Sequence, residues 1–220
     1  MQSKVFDSRF VRGEVVGESP DRDAQMRSLV VVLHGRGDSV QGFEWLPEAM
    51  RLPGVDFLLL NAPDDYFGGF SWYGLPPDQL PGIKRSSALL DQLLEETAAA
   101  GYPVSKTFLF GFSQGALMGW EWGGRIAVPL AGIVGISGYV FDADRLVETF
   151  SEAGRATPRL VTHGTLDDVL PFEASREQAE QIRAAGIPFE WREYAKHHSI
   201  DPQELAEIRA WMSALIRAWE

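Results

Sequence analysis

Residues 107–119 read Thr-Phe-Leu-Phe-Gly-Phe-Ser-Gln-Gly-Ala-Leu-Met-Gly, an apolar run that ends in Gly111-Phe112-Ser113-Gln114-Gly115 and passes straight into a helix-compatible segment. A chain written this way has few options. The apolar run forms a buried strand, the two glycines let strand and helix pack closely around a tight turn, and the serine sits at the apex with its hydroxyl held clear of the sheet. A bare Gly-x-Ser-x-Gly also arises by chance in a chain with 22 glycines among 220 residues, where it is an ordinary strand-to-helix turn. The rest of the sequence decides between the two.

Short apolar runs alternate with longer helical patterns. Leu29–Leu33, Val55–Leu60, Thr107–Phe110, Leu130–Ile136, Leu160–Thr162 and Phe189–Tyr194 read as strands, most of them continuous rather than alternating, as expected of a sheet covered on both faces. Leu90, Leu93, Leu94 and Thr97 share one face of a helix around residues 82–100. Phe172, Ala179 and Ile182 do so in a helix that starts after Pro171. Leu205, Ile208, Met212, Leu215 and Trp219 fit a C-terminal helix, for which Asp201-Pro202 supplies the cap and Glu204 the third residue of a capping box. Alternation of this kind predicts an α/β fold: one mostly parallel central sheet with helices on both faces, binding its ligands beyond the C-terminal strand edges. Phe6, Phe10, Val11 and Val15-Val16 suggest an added edge strand or hairpin at the N-terminus.

The length suits a single domain spanning 1–220, with 45% apolar and 23% charged residues, the balance of a globular protein. The net charge of -11 argues against nucleic acid and anionic membranes as partners, since both demand a basic face. No apolar segment reaches the roughly 20 residues of a membrane span, and the N-terminus lacks the apolar core of a signal peptide. With no cysteine there are neither disulfides nor thiolate metal sites, which fits a cytoplasmic protein. The sequence leaves the oligomeric state open, a homodimer included.

A serine hydroxyl needs a base to act as a nucleophile at neutral pH. The histidines are His34, His163, His197 and His198. His34 and His163 each follow a strand and precede a glycine, a position at which an imidazole more often braces a loop. His197 and His198 lie after the last strand, at the same sheet edge as Ser113. Between the two, Asp167 and Asp168 follow the penultimate strand, giving the chain order Ser, Asp, His found in α/β-hydrolases. The Gly-rich loop Leu33-His-Gly-Arg-Gly-Asp-Ser39 follows an early strand, where a backbone N–H would join that of Gln114 in an oxyanion hole. A P-loop reading fails for want of Gly-Lys-Ser/Thr.

These pieces together resemble the phospholipase/carboxylesterase family of α/β-hydrolases, which includes the acyl-protein thioesterases. Leu33-His-Gly-Arg-Gly-Asp38, Asn61-Ala-Pro63, Ser71-Trp-Tyr73, Gly111-Phe-Ser-Gln-Gly-Ala116, Gly135-Ile-Ser-Gly138, His163-Gly-Thr-Leu-Asp167 and His198-Ser-Ile200 run in the family's order from about residue 30 to residue 200. The resemblance implies Ser113 as nucleophile, Asp167 as the acid and His198 as the base, with the amides of Arg36 and Gln114 as the oxyanion hole. It selects Asp167 over Asp168 and His198 over His197. Two positions depart from the pattern: His197 stands where a glycine usually precedes the base, and Gly74 replaces the aspartate of Trp-Phe/Tyr-Asp. Ser137, in a second Gly-x-Ser-Gly, lacks the elbow's last glycine because Tyr139 occupies that place.

Residues 61–81 form the longest non-periodic stretch and hold Tyr66, Phe67, Phe70, Trp72, Tyr73 and Leu75. This stretch reads either as a hydrophobic wall or lid with Phe70, Trp72 and Tyr73 on the substrate, or as a set of rings plugging the core. The expected activity is hydrolysis of small-molecule carboxylic esters through an acyl-enzyme on Ser113, with no metal or organic cofactor required. Thioester or lysophospholipid cleavage on the same site is the first alternative, and a non-catalytic binding protein on a hydrolase fold is the second.

Overall fold

The computed structural model describes residues 1–14 and 27–218. Its sheet is formed by β1 (Ser8–Val11), β2 (Ser28–Leu33), β3 (Val55–Leu60), β6 (Thr107–Phe112), β7 (Gly132–Ile136), β8 (Arg159–Gly164) and β9 (Glu190–Tyr194), in the spatial order β1-β3-β2-β6-β7-β8-β9. All pairings are parallel except β1 against β3, where Phe10 stands opposite Leu58. The expected N-terminal edge strand is therefore present as β1, whereas Val15 and Val16 lie outside the described residues. The chain leaves β2 toward β3 and returns to its other side as β6, so the strand order reverses at β2. The carboxyl end of the sheet opens into a crevice there.

The continuous apolar strands are read by both layers. Leu29, Val31 and Leu33 of β2 pack with Leu109 of β6 under α2 (Gln79–Ala99) and α3 (Gln114–Glu121). Their neighbours Val30 and Val32 pack with Phe108 and Phe110 against α1 (Leu46–Met50) and α7 (Pro202–Arg217). The period-2 alternation of a strand thus feeds two cores, which is why every position must be apolar. Two short helices, α4 (Ala143–Thr149) and α5 (Glu152–Ala156), follow β7, and α6 (Phe172–Ala184) follows β8; Leu146 and Ile182 close a smaller cluster with Trp120 and Val161. Leu90, Leu93 and Thr97 are buried on α2, as are Ile208 and Met212 on α7. Trp219 lies outside the described residues.

The cap of α7 follows the sequence expectation. The Asp201 carboxylate accepts from the amides of Gln203 and Glu204 at 2.8 and 3.4 Å, and Glu204 accepts from the Asp201 amide at 3.0 Å. The reading of residues 61–81 as non-periodic is corrected: they contain a hairpin, β4 (Asp64–Tyr66) paired with β5 (Gly69–Ser71).

Asp56, a charged residue in the middle of an apolar strand, is fully buried. It accepts from Arg27 Nε at 2.7 Å, from the Tyr102 hydroxyl at 2.6 Å and from the Gly13 amide at 2.8 Å. Burial alone would raise its carboxyl, but these donors outweigh that effect and hold it below the ordinary value of 3.8. A carboxyl lowered on folding stabilises the fold above its unfolded value and loses that contribution as pH falls through the folded one. Stability to urea should therefore decline below about pH 3.8. Asp56→Asn should cost about 3–5 kcal/mol near neutral pH, by removing the buried charge that pairs with the Arg27 guanidinium.

Candidate active site

Ser113 follows β6 and caps α3. Its backbone, at φ 54° and ψ -112°, occupies a region that L-residues rarely adopt, and its amide donates to the Ile136 carbonyl at 2.9 Å. The turn closes only because of its glycines. A Cβ on Gly115 would stand 2.2 Å from the Leu33 carbonyl oxygen, and one on Gly111 would stand 2.3 Å from the Gly115 oxygen.

Residues 85 and 54 positions from Ser113 in the sequence complete a hydrogen-bonded chain. His198 Nε2 lies 3.0 Å from Ser113 Oγ, and His198 Nδ1 lies 2.8 Å from Asp167 Oδ2. The other oxygen of Asp167 accepts from the amides of Val169 at 3.0 Å and Leu170 at 2.8 Å. Burial would raise this carboxyl, but the Leu170 amide, His198 and the Val169 amide together hold it below the ordinary range. An ionised, fully hydrogen-bonded Asp167 keeps the Nδ1 proton on His198 and leaves Nε2 with a lone pair facing the serine. The Phe112 ring packs on the imidazole, its centroid 4.9 Å away.

The structure separates the paired candidates. His197 is 72% exposed at its side chain and turns toward Asp168, itself exposed, at 3.9 Å. It therefore points away from His198 rather than crowding it, although it replaces a glycine. His34 and His163 brace loops. The His34 Nδ1 donates to the Gly35 carbonyl at 2.6 Å while its Nε2 accepts from the Ala62 amide at 3.1 Å, and burial lowers its pKa. His163, likewise lowered by burial, donates from Nε2 to the Leu170 carbonyl at 2.9 Å and so steadies the loop that carries Asp167.

Ser113, His198, Arg36 and Gln114 line one cavity of about 270 Å³, together with Gly74, Leu75, Tyr73 and Tyr139. Among the described residues, neither the Arg36 nor the Gln114 amide has an acceptor within the protein. The Gln114 amide is also the first of α3, where the helix dipole favours negative charge.

Of the three aromatic residues expected at the substrate, the structure brings only Tyr73 to this cavity. Trp72 is a correction: its ring is wholly buried in the core and its Nε1 donates to the His34 carbonyl at 2.9 Å, which supports the Gly-rich loop from behind. Phe70 is a second correction, because it sits on β5 outside the cavity lining, where its amide and carbonyl pair with Asp38 and Gly37.

Two roles escaped sequence reasoning. The Gln114 side chain is buried, accepting from the Trp72 amide at 3.0 Å and donating to the Tyr73 carbonyl at 3.0 Å, so it staples the aromatic segment to the elbow. Lys196 is buried as well. Its ammonium donates to Glu204 at 2.7 Å, to the Ser199 carbonyl at 2.7 Å and to Ser137 Oγ at 3.2 Å, while its own carbonyl accepts from the Leu166 amide at 3.1 Å. It thereby ties the loops of Asp167 and His198 to the N-terminus of α7. A lysine two residues before a histidine carries no local signal of burial; its partner Glu204 was legible only as a cap. Lys196→Met should strand the buried Glu204 carboxylate and cost about 3–5 kcal/mol in denaturant unfolding.

A mostly parallel sheet with a strand-turn-helix serine at its carboxyl edge and a histidine after its last strand defines an α/β-hydrolase. The structure is similar to that of esterase PE8, at a TM-score of 0.81 and 27% identity over 96% of this chain and 99% of that one. It also resembles acyl-protein thioesterase 2 of Zea mays, at 0.77 and 26% over 96% and 99%. In sequence the chain is 31% identical to acyl-protein thioesterase 1 of Yarrowia lipolytica, over 86% of this chain and 92% of that protein. It is 28% identical to a probable carboxylesterase of Oryza sativa, over 89% and 80%. Residues 15–216 match the model of the phospholipase/carboxylesterase family, and the chain belongs to that family of hydrolases. No helix among the described residues is long and apolar enough to cross a membrane.

Proposed function

We propose that the protein is a serine carboxylesterase in which Ser113 is the nucleophile, His198 the general base and Asp167 the residue that orients it. The observation that carries this reading is the Ser113–His198–Asp167 hydrogen-bond chain opening into a cavity. Ser113 Oγ attacks the ester carbonyl as its proton passes to His198 Nε2. The amides of Arg36 and Gln114 receive the oxyanion. His198 then gives the proton to the departing alkoxide, leaving an acyl-serine. A water loses a proton to His198 and attacks this acyl group, and the proton returns to Ser113 as the acid leaves. These steps call for no metal or organic cofactor.

Thioester cleavage is supported equally by the relatives named acyl-protein thioesterase, since one triad serves both leaving groups. A chain without cysteine is compatible with action in the cytoplasm. The test is treatment with a fluorophosphonate probe, followed by kcat/KM on matched oxygen esters and thioesters. An adduct on Ser113 with turnover of either substrate is expected. A protein that neither labels nor turns over any ester would be a binding module, and the proposal would fail.

A further inference from the structure

One wall of the cavity beside Ser113 is polar where a site for plain alkyl chains would be greasy. It is built from Tyr73, Gln79 and Tyr139. The Tyr73 and Tyr139 hydroxyls are 3.2 Å apart, and Gln79 Nε2 donates to the Tyr139 oxygen at 2.6 Å. A proton count fixes the consequence. If Tyr73 donates to Tyr139, the Tyr139 proton has no acceptor; if Tyr139 donates to Tyr73, the Tyr73 proton has none. With the Gln79 amide nitrogen donating, either arrangement leaves one phenolic O–H unspent among the described residues, and it belongs to a group that lines the cavity. Tyr73 is 1% exposed, and burial together with Tyr139 keeps its phenol protonated, so the wall stays a donor. Leu75, Pro76, Val169 and Leu170 give an apolar part of the lining and Arg36 and Asp38 a charged part, around a space below the roughly 300–1,000 Å³ of drug-sized pockets.

We propose that this wall reads a neutral hydrogen-bond acceptor on the substrate, so that the preferred esters are short and carry an ether, hydroxyl or keto oxygen a few bonds from the scissile carbonyl. An alkyl chain in the same place displaces water from the spare O–H and returns nothing. The inference rests on the acyl-transfer reading of Ser113. The acceptor belongs either to the acyl group or to the alcohol, and the two sources are separable by experiment.

The acyl arm compares para-nitrophenyl methoxypropanoate with the isosteric pentanoate. The alcohol arm compares methoxyethyl butanoate with butyl butanoate. Each kcat/KM is divided by that ester's own hydroxide-catalysed rate, which cancels inductive activation. A preference of roughly threefold to tenfold for the ether-bearing ester is expected in one arm. That preference should fall to near one in the double variant Tyr73→Phe, Tyr139→Phe, which removes both hydroxyls at nearly constant volume. Turnover with ratios near one in both wild-type arms overturns the preference and leaves the acyl-transfer reading intact. A preference that survives in the double variant overturns the assignment to this wall. Absence of turnover on all four esters, with no probe adduct, overturns the acyl-transfer reading itself and this inference with it.

Discussion

Ser113→Ala is expected to lower kcat/KM for an activated short-chain ester by on the order of 10⁴- to 10⁶-fold while leaving the melting temperature almost unchanged. The first half follows from chemistry: the variant has no oxygen to form the acyl-enzyme, and only the oxyanion amides and binding remain. The second half follows from the backbone. Ser113 sits at φ 54°, and alanine carries the same Cβ into that region as serine does, so the strain of the turn is neither relieved nor increased. Unfolding monitored beside steady-state kinetics checks both halves. Activity within tenfold of the parent protein would remove Ser113 from the mechanism.

Asp167→Asn should cost about 10⁴-fold in kcat, and Asp168→Asn should cost little. The size of the first effect comes from a constraint visible only in three dimensions. Asp167 Oδ1 accepts from two backbone amides, Val169 and Leu170, so an asparagine must keep its carbonyl oxygen there. Its NH₂ then faces His198 Nδ1, 2.8 Å away in the parent structure, and forces that nitrogen to accept. The imidazole proton moves to Nε2, and the base can no longer take the proton of Ser113. Asp168 is exposed and faces His197, so removing its charge leaves that arrangement in place. Equal losses in the two variants would contradict the assignment of the acid.

How much was legible in the chain divides along the reach of the interactions involved. The central strands were readable to within a residue or two because a sheet covered on both faces demands apolar residues at nearly all of their positions. The cap at Asp201 was readable because its partners lie two and three residues away. The elbow was readable in part: Gly111 is required by a contact inside the strand-turn-helix unit, whereas Gly115 is required by the Leu33 carbonyl of the neighbouring strand β2. The aromatic stretch 61–81 was not. Trp72 and Tyr73 are neighbours that are both buried in the core, and that Tyr73 alone also borders the cavity is a property of the folded chain. Lys196 and Glu204 each look like solvent-exposed charges, and their burial is a joint property of β9, the loop after it and α7.

Gly111-Phe-Ser-Gln-Gly115 on the end of an apolar run pointed to a serine at a strained turn between a strand and a helix, and the later carboxylates and histidines in the sequence favoured that reading over an ordinary turn. Spacing alone left His197 and His198, and Asp167 and Asp168, as equal candidates; the family resemblance favoured His198 and Asp167, and the geometry along the sheet edge gives the physical reason. Adjacent residues in a loop point in different directions. The docking of β8 and β9 beside β6, with Lys196 fastening their loops to α7, brings His198 to Ser113 and Asp167 behind it and turns His197 and Asp168 to water.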